Sequence, residues 1–212
     1  MTRSQEYDAR PDPLRRSDAA PDSTEGRIIA AAVRLFAERG IDAVSLRSIM
    51  AAAGTNIASI HYHFGSKEAL VREAILARSA EIAERRAPLL DAVEGEPGPT
   101  ARGVAHAFIA PIAELTATDA DGAAWVRLIG TIMTTGHPSL EIVTEAFKPQ
   151  GIRFRALIHD LEPSWSRRTV LFRLSAAMRT TFITLGETGD QPAEALVDDL
   201  EDLVTSMLTP AG

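Results

Sequence analysis

The sequence predicts an all-α protein, because its apolar residues recur at helical spacing and Gly, Pro and Asp interrupt them. Strand-like alternation with β-branched enrichment is sustained nowhere along the 212 residues. We therefore expect about nine helices, arranged as an N-terminal three-helix head and a larger C-terminal helical domain.

The first helix is predicted over about residues 23–39. Residues 1–22 combine low hydrophobicity with three prolines and mixed charges, which predicts a disordered arm. Asp22 and Glu25 have the spacing of a capping box, and Gly40 is placed as a C-cap. The apolar residues that recur at helical spacing between them are Ile28, Ile29, Ala32, Leu35 and Phe36.

The next segment has the anatomy of a helix-turn-helix. Ser45 is placed to cap a short second helix, and Gly54 breaks it where a tight turn needs positive φ. A third short helix ends at Gly65, and Ser66 caps a longer helix expected to run to residues 85–88. The apolar residues expected to lock the pair against the first helix are Leu46, Ile49, Ala53, Ile60 and Phe64.

The outward face of the third helix favours DNA binding over a plain helical hairpin. A helix that enters the major groove needs little bulk where it meets base edges, and then donors that grip phosphate. This face begins small and ends polar-aromatic, with Asn56, Ile57, Ala58, Ser59, Tyr62 and His63. Residues 23–66 are therefore the predicted DNA-binding domain.

Charge alone does not indicate DNA binding, since the net charge is −7. Residues 1–86 carry 13 basic and 12 acidic side chains, whereas residues 87–212 carry 9 and 17. An acidic body behind a near-neutral head orients DNA toward the head only weakly.

The rest of the chain is predicted to be a connecting helix and a second helical domain. Residues 67–93 continue from the head, and residues 94–99, rich in Gly and Pro, form a linker loop before the domain at 100–212. Because Pro149 and Gly151 interrupt the third helical pattern of that domain, we expect it to be two shorter pieces. The patterns lie near 100–116, 121–135, 138–158, 163–187 and 192–208.

Residues Ala53–Leu70 resemble the signature of the tetracycline-repressor (TetR) family, and Ile28–Gly40 resembles its first helix. The resemblance covers about residues 24–75 and is specific, because His-Phe-Gly-Ser-Lys-Glu follows an Ala-Gly turn at the right distance. Most members have Tyr where this chain has His61. Tyr62 follows one residue later, as in a branch with an Asn-Tyr-His-Phe version, so the usual phosphate contact passes to Tyr62 or is shared with His61.

The resemblance implies a role for each matching residue. Arg47 reaches a guanine edge or a phosphate, and Thr55 and Asn56 lie at the turn and the helix N-cap. The alternatives are that Arg47 is an ordinary solvated residue and that His63 is a core histidine. The resemblance further places Ile57, Ala58 and Ser59 against bases, and His61, Tyr62, His63 and Lys67 against phosphates.

The family's architecture also implies a homodimer that binds a palindromic operator and responds to a small-molecule effector. Two apolar stripes fit an intersubunit four-helix bundle. They consist of Leu171, Leu174, Met178, Phe182 and Leu185, and of Leu196, Leu200, Leu203 and Met207.

A ligand pocket is less clearly marked. Aromatic stripes more often form core, and Arg127 and Arg179 are expected to pair with Glu114, Glu141 or Glu145 rather than with an effector. The candidate lining residues are His106, Phe108, Trp125, Arg127, Met133, Phe147 and Arg179.

Other function classes find no support in the sequence. It contains no cysteine, no metal-ligand spacing and no nucleophile elbow, phosphate loop or Rossmann fingerprint, so we expect no enzyme, metal or cofactor. No apolar run approaches a membrane span, so a cytoplasmic protein without a membrane partner is expected. An architectural DNA binder without effector control remains the alternative to a ligand-released repressor, although it has little use for the long second domain.

Overall fold

The computed structural model describes residues 23–56, 62–188 and 194–210, which form eight α-helices and no strand. This confirms the predicted all-α class. The predicted arm at 1–22 and residues 57–61 of the third head helix lie outside the described residues. The helices are α1 Thr24–Arg39, α2 Leu46–Ala53, α3 Lys67–Gly95, α4 Ala101–Thr118, α5 Ala120–Thr135, α6 Leu140–Leu161, α7 Arg167–Glu187 and α8 Glu194–Met207.

Serine hydroxyls cap the N-termini of α1, α2 and α3. Those of Ser45 and Ser66 accept hydrogen bonds from the third following amide, as predicted. The predicted cap at Asp22 is wrong by one residue, because the hydroxyl of Ser23 accepts from Gly26 N at 3.0 Å and thereby fills the cap position. Gly54, at φ +65°, ends α2 in the left-handed region that the turn requires.

Helix α3 extends two turns beyond its predicted end at Arg85–Pro88. Pro88 removes one amide donor from the helix, but Arg86 and Leu90 on either side of it are buried on the same face as Ile82. Tertiary packing of this face outweighs the loss of one intrahelical hydrogen bond. The result is one helix of 29 residues.

Helix α6 is likewise continuous, so the predicted division at Pro149 and Gly151 is wrong. Phe147, Gln150 and Phe154 are buried along one face of it, which holds the helix against α3 and α7 across the proline. In both helices, burial on both sides of the proline decides the outcome.

One continuous core joins the head to the body. Helix α1 packs against α2 and α3 in the head and against α5 of the body, and α5 packs against α4 and α7. Trp125 of α5 is fully buried, and its indole Nε1 donates to the carbonyl oxygens of Ala74 and Ile75 in α3 at 3.0 and 3.1 Å. The core therefore links α3 to the middle of the body.

Two kinds of feature are absent from the described residues. They contain no helix long and apolar enough to cross a membrane. They also contain no group of three His, Asp or Glu side chains arranged to hold a metal ion.

The close approach of α4 and α5 generates a stability prediction. A Cβ at Gly122 would overlap the backbone carbonyl of Leu115, whereas a Cβ at Gly151 in α6 would meet no atom within 4 Å. We expect Gly122→Ala to lower the free energy of unfolding by ~1–3 kcal/mol through overpacking. Gly151→Ala, the matched control, should raise it by up to ~1 kcal/mol through helix propensity. Urea unfolding measures both, and equal effects would show that the α4–α5 contact tolerates the methyl group.

Candidate nucleic-acid interface and ligand cavity

The head exposes most of the described residues that the sequence assigns to DNA. Arg47 is exposed on the first turn of α2, and Asn56 is exposed after the Gly54 turn, where Thr55 N donates to Met50 O at 3.1 Å. Ile57, Ala58, Ser59 and His61, which are predicted to contact bases and phosphates, lie outside the described residues.

Tyr62 and His63 follow directly. The side chain of Tyr62 is 84% exposed, and its ring lies 5.0 Å from that of His63, edge to face. His63 Nδ1 lies 3.9 Å from a carboxylate oxygen of Glu25 in α1. The alternative interpretation of His63 as a core histidine is therefore wrong, because the residue is exposed and faces a carboxylate.

The loop between α1 and α2 is held by two parts of the body. Lys67, the first residue of α3, donates from Nζ to the carbonyl oxygen of Asp42 at 3.4 Å. His137, in the turn before α6, places Nε2 3.4 Å from the carboxylate of the same residue. The position of the head thus depends on the start of α3 and on this turn.

Two cavities of the body lie next to each other. The inner cavity measures about 20 Å³ and lies between α3, α4, α6 and α7; the outer one measures about 280 Å³ and opens between α6 and α7. Both are lined by Phe147, Gly151, Leu174 and Met178, so these residues separate the two.

Arg86 of α3 lines the inner cavity and is 2% exposed. Its Nε donates to Ala107 O at 3.2 Å, Nη1 to Gln150 Oε1 at 2.6 Å and Nη2 to Phe108 O at 2.9 Å. No Asp or Glu among the described residues pairs with it. Burial lowers the pKa of Arg86 to about 9, which leaves the guanidinium protonated at neutral pH.

Aromatic rings surround this cation. The rings of Phe108, Phe147 and Phe154 have their centroids 5.3, 5.9 and 5.6 Å from the guanidinium carbon. Such ring faces attract a cation but do not neutralise its charge.

Pro111 explains one of the hydrogen bonds of Arg86. A proline at this position of α4 has no N–H, so the carbonyl of Ala107, four residues earlier, loses its helical donor. The Nε of Arg86 supplies a donor to that carbonyl. The arginine therefore satisfies a buried acceptor that the sequence of α4 leaves open.

Four of the predicted pocket residues line the cavities. Phe108 and Phe147 line the inner cavity, and Met133, Phe147 and Arg179 line the outer one. Trp125 does not line either, but its ring lies 6.4 Å from that of Phe147.

The other two predicted pocket residues lie elsewhere. His106 Nδ1 lies 2.7 Å from the carboxylate of Glu201 in α8. Arg127 Nε donates to the carbonyl of Gly186 at 3.0 Å, which joins α5 to α7. Neither Arg127 nor Arg179 forms an ion pair with a described residue, and the expected glutamate partners are wrong.

Arg86 itself was not predicted. The signal was its position in a buried stripe of α3, four residues after Ile82 and four before Leu90. A charged residue at a core position of an amphipathic pattern indicates either a local partner or a binding site.

Most of the predicted dimer stripe of α7 faces inward. The ring of Phe182 lies 6.2 Å from that of Trp125 and 6.1 Å from that of Phe147, because α7 packs against α5 within the subunit. A partner subunit cannot reach these side chains, so this part of the predicted seam is wrong. The predicted seam residues buried within the subunit are Leu174, Phe182, Leu185 and Leu200; Met178 and Met207 pack partly against the core.

Other side chains of α7 and α8 remain uncovered. Leu171 and Leu203, which belong to the predicted seam, are exposed by 37% and 46%, and Phe172 is exposed by 72%. Leu196 is partly exposed.

Sequence comparison identifies the family. The profile described as bacterial regulatory proteins of the tetR family matches residues 28–74, and that of the tetracyclin repressor-like C-terminal domain matches residues 106–209. The chain belongs to the tetracycline-repressor family. The N-terminal profile overlaps the predicted head, and its description as regulatory proteins agrees with the DNA-binding role expected there.

Individual relatives of the family are more distant. HTH-type transcriptional repressor KstR2 of Mycobacterium tuberculosis is 34% identical over 80 residues, which are 34% of this chain and 40% of that protein. The matched part therefore spans less than half of the length of that relative. Two solved structures share the fold: KstR2 of M. tuberculosis (TM-score 0.60, 17% identity, 88% of this chain and 94% of that one) and AmtR of Mycobacterium smegmatis (0.62, 19%, 92% and 90%).

The contact between Arg86 and Ala107 generates a double-mutant prediction. Arg86→Met leaves the carbonyl of Ala107 without a donor, and Pro111→Ala returns an amide to it. We expect Pro111→Ala to be more favourable in the Arg86→Met background than in the wild type by ~1–2 kcal/mol, the usual size of one buried hydrogen bond. Chemical unfolding of the four proteins measures this coupling. The same effect of Pro111→Ala in both backgrounds would contradict it.

Proposed function

We propose that this regulator is a ligand-released repressor that binds a palindromic operator as a homodimer. The observation that carries the proposal is the continuity of α3, which begins at Lys67 beside the head loop and passes the inner cavity at Arg86. A ligand that displaces α3 at the cavity therefore acts on the helix that holds the head.

Release of DNA requires that the ligand favour a different head position from the one that DNA favours. A ligand changes DNA affinity only through different affinities for the two states. Two heads of a dimer read half-sites roughly 34–36 Å apart. A shift of α3 moves both heads from this spacing, and couplings of ~1–3 kcal/mol are typical of such systems.

On DNA, the described residues of the head suit two kinds of contact. Arg47 has the side chain best shaped for a bidentate contact with guanine. The exposed Tyr62, with His63 and Lys67, suits phosphate, and His61 shares that role by sequence position. Thr55 and Asn56 would lie at the helix start, and Ile57, Ala58 and Ser59 would face the bases.

The dimer surface is proposed to be the outward face of α7 and α8. Phe172 is exposed on α7, and the partly exposed Ala176 and Ile183 follow it at helical spacing. Leu196, partly exposed, and Leu203, exposed, lie two turns apart on α8. The two helices are joined where Arg173 Nη1 donates to the carbonyl of Met207, the last residue of α8, at 2.5 Å. Covering these apolar side chains stabilises an association, since each is otherwise at least partly in contact with water.

The DNA contacts can be separated by two substitutions. Lys67→Ala should weaken binding to every sequence alike and reduce its salt dependence, as expected for a phosphate contact. Arg47→Ala should remove the preference at one base position, worth ~1–3 kcal/mol for a bidentate contact. Titrations against an operator selected from genomic fragments, at several salt concentrations, measure both.

Lys148→Ala is the control for these variants, since Lys148 is exposed on α6 of the body, pairs with Glu145 of the same helix and should leave DNA affinity unchanged. Uniform losses for Arg47→Ala would contradict its base-reading role. Equal affinity of the wild type for all fragments would instead favour an architectural DNA binder.

The dimer surface predicts a monomeric variant. Phe172→Glu with Leu203→Glu would bury four carboxylates in the dimer, each at a cost of several kcal/mol, while both positions are exposed in the subunit. Sedimentation should show a folded monomer, and operator affinity should collapse because the two heads no longer bind as one unit. Ile152→Glu, at a comparably exposed apolar position on α6, should remain dimeric. A dimeric double variant would mean that the subunits associate through another face.

A further inference from the structure

The chemical class of the effector follows from the charge at the inner cavity. We propose that the two cavities bind an amphipathic carboxylate, with its carboxylate on Arg86 and its apolar chain extending into the outer cavity. This proposal rests on the ligand-responsive function proposed above and adds to it the class of ligand and the residue that recognises it.

The guanidinium of Arg86 is only partly satisfied within the subunit. Of its five N–H donors, three have acceptors among the described residues, namely two backbone carbonyls and the amide oxygen of Gln150. All three acceptors are neutral. A buried cation is ordinarily paired with an anion, because its desolvation is otherwise uncompensated. The charge of Arg86 therefore suits an anionic ligand.

The hydrogen bond to the carbonyl of Ala107 in α4 involves one nitrogen of Arg86 and leaves the other two unexplained. Nε donates to the carbonyl that Pro111 leaves open. Nη1 and Nη2 donate to Gln150 Oε1 and Phe108 O, and each carries a second N–H with which a guanidinium can bind a carboxylate. A neutral donor such as a glutamine would suffice for the carbonyl alone. The positive charge of Arg86 is therefore not explained by the carbonyl of Ala107 and is available to an anionic ligand.

The apolar lining and the small volume of the cavities suit a mainly apolar ligand with one charged end. The aromatic rings of Phe108, Phe147 and Phe154 surround the inner site, which has room for a group only slightly larger than a water. The outer cavity, at about 280 Å³, is slightly smaller than most small-molecule pockets, so it suits a short apolar chain. Met178 lies between the two, and its flexible side chain can open the passage.

The mouth of the outer cavity adds a positive field. Arg155 and Arg179 line it, and neither pairs with an acid among the described residues. These cations attract an anion to the opening, whereas the buried Arg86 retains it. A carboxylate on Arg86 competes with the acceptors in α4 and α6, and thereby loosens α3 from both helices.

The test uses straight-chain carboxylates from hexanoate to dodecanoate and phenylbutyrate, each compared with its own primary amide. The protein is the full chain carrying Trp165→Phe, so that Trp125 alone reports binding. We expect at least one carboxylate to bind at least about tenfold more tightly than its amide and to release operator DNA over the same concentration range. Arg86→Gln should abolish this preference without weakening the binding of the amide.

Arg179→Gln is the matched control at the mouth and should keep most of the preference. Arg86→Lys, which retains a cation, should keep part of it. Circular dichroism checks that each variant is folded, and the ratio between carboxylate and amide in the wild type decides the proposal if Arg86→Gln does not fold.

Two results would overturn the proposal. One is that no carboxylate binds better than its amide; the other is that Arg179→Gln, rather than Arg86→Gln, removes the preference. Operator binding by the unliganded protein is measured alongside. If that binding is intact, only the proposed ligand class fails, whereas its absence would remove the proposed function itself.

Discussion

The guanidinium of Arg86 lies where α3, α4 and α6 meet, and it makes a hydrogen bond to each of the two helices that α3 packs against there. Because α3 is continuous from Lys67 to Gly95, any constraint on its middle also fixes its first turn. Trp125 holds the same helix about three turns closer to the head. The position of the head relative to the body therefore depends on these buried polar contacts together with the apolar packing of α1 against α5.

Local chemistry made much of the fold predictable. Serines at helix starts and glycines at positive φ act through neighbouring backbone atoms, so Ser45, Ser66 and Gly54 have the roles that their positions in the sequence indicate. The prolines at 88 and 149 do not, because the cost of a missing amide is local but the packing that outweighs it comes from other helices. Sequence alone does not show which helix faces will be covered.

Among the candidate site residues, too, exposure on the head could be predicted from the sequence, whereas burial against other helices could not. Arg47 and Tyr62 of the head are exposed, as a surface that contacts DNA requires, whereas most of the predicted dimer stripe of α7 is buried within the subunit. A leucine stripe looks the same in sequence whether it packs against a neighbouring helix or against a second chain, because both kinds of burial need the same residues. Arg86 was missed because a charged residue near a proline resembles a helix end.

The exchange of a backbone donor for a side chain donor has an evolutionary consequence. Pro111 makes the cation at position 86 useful to the stability of α4, and the cation makes the proline tolerable in a buried helix. Neither residue is easily replaced first, so the two positions should change together as related sequences diverge. A lineage that lost the proline would free Arg86 from its structural duty, and only selection for an anionic ligand would then preserve the charge.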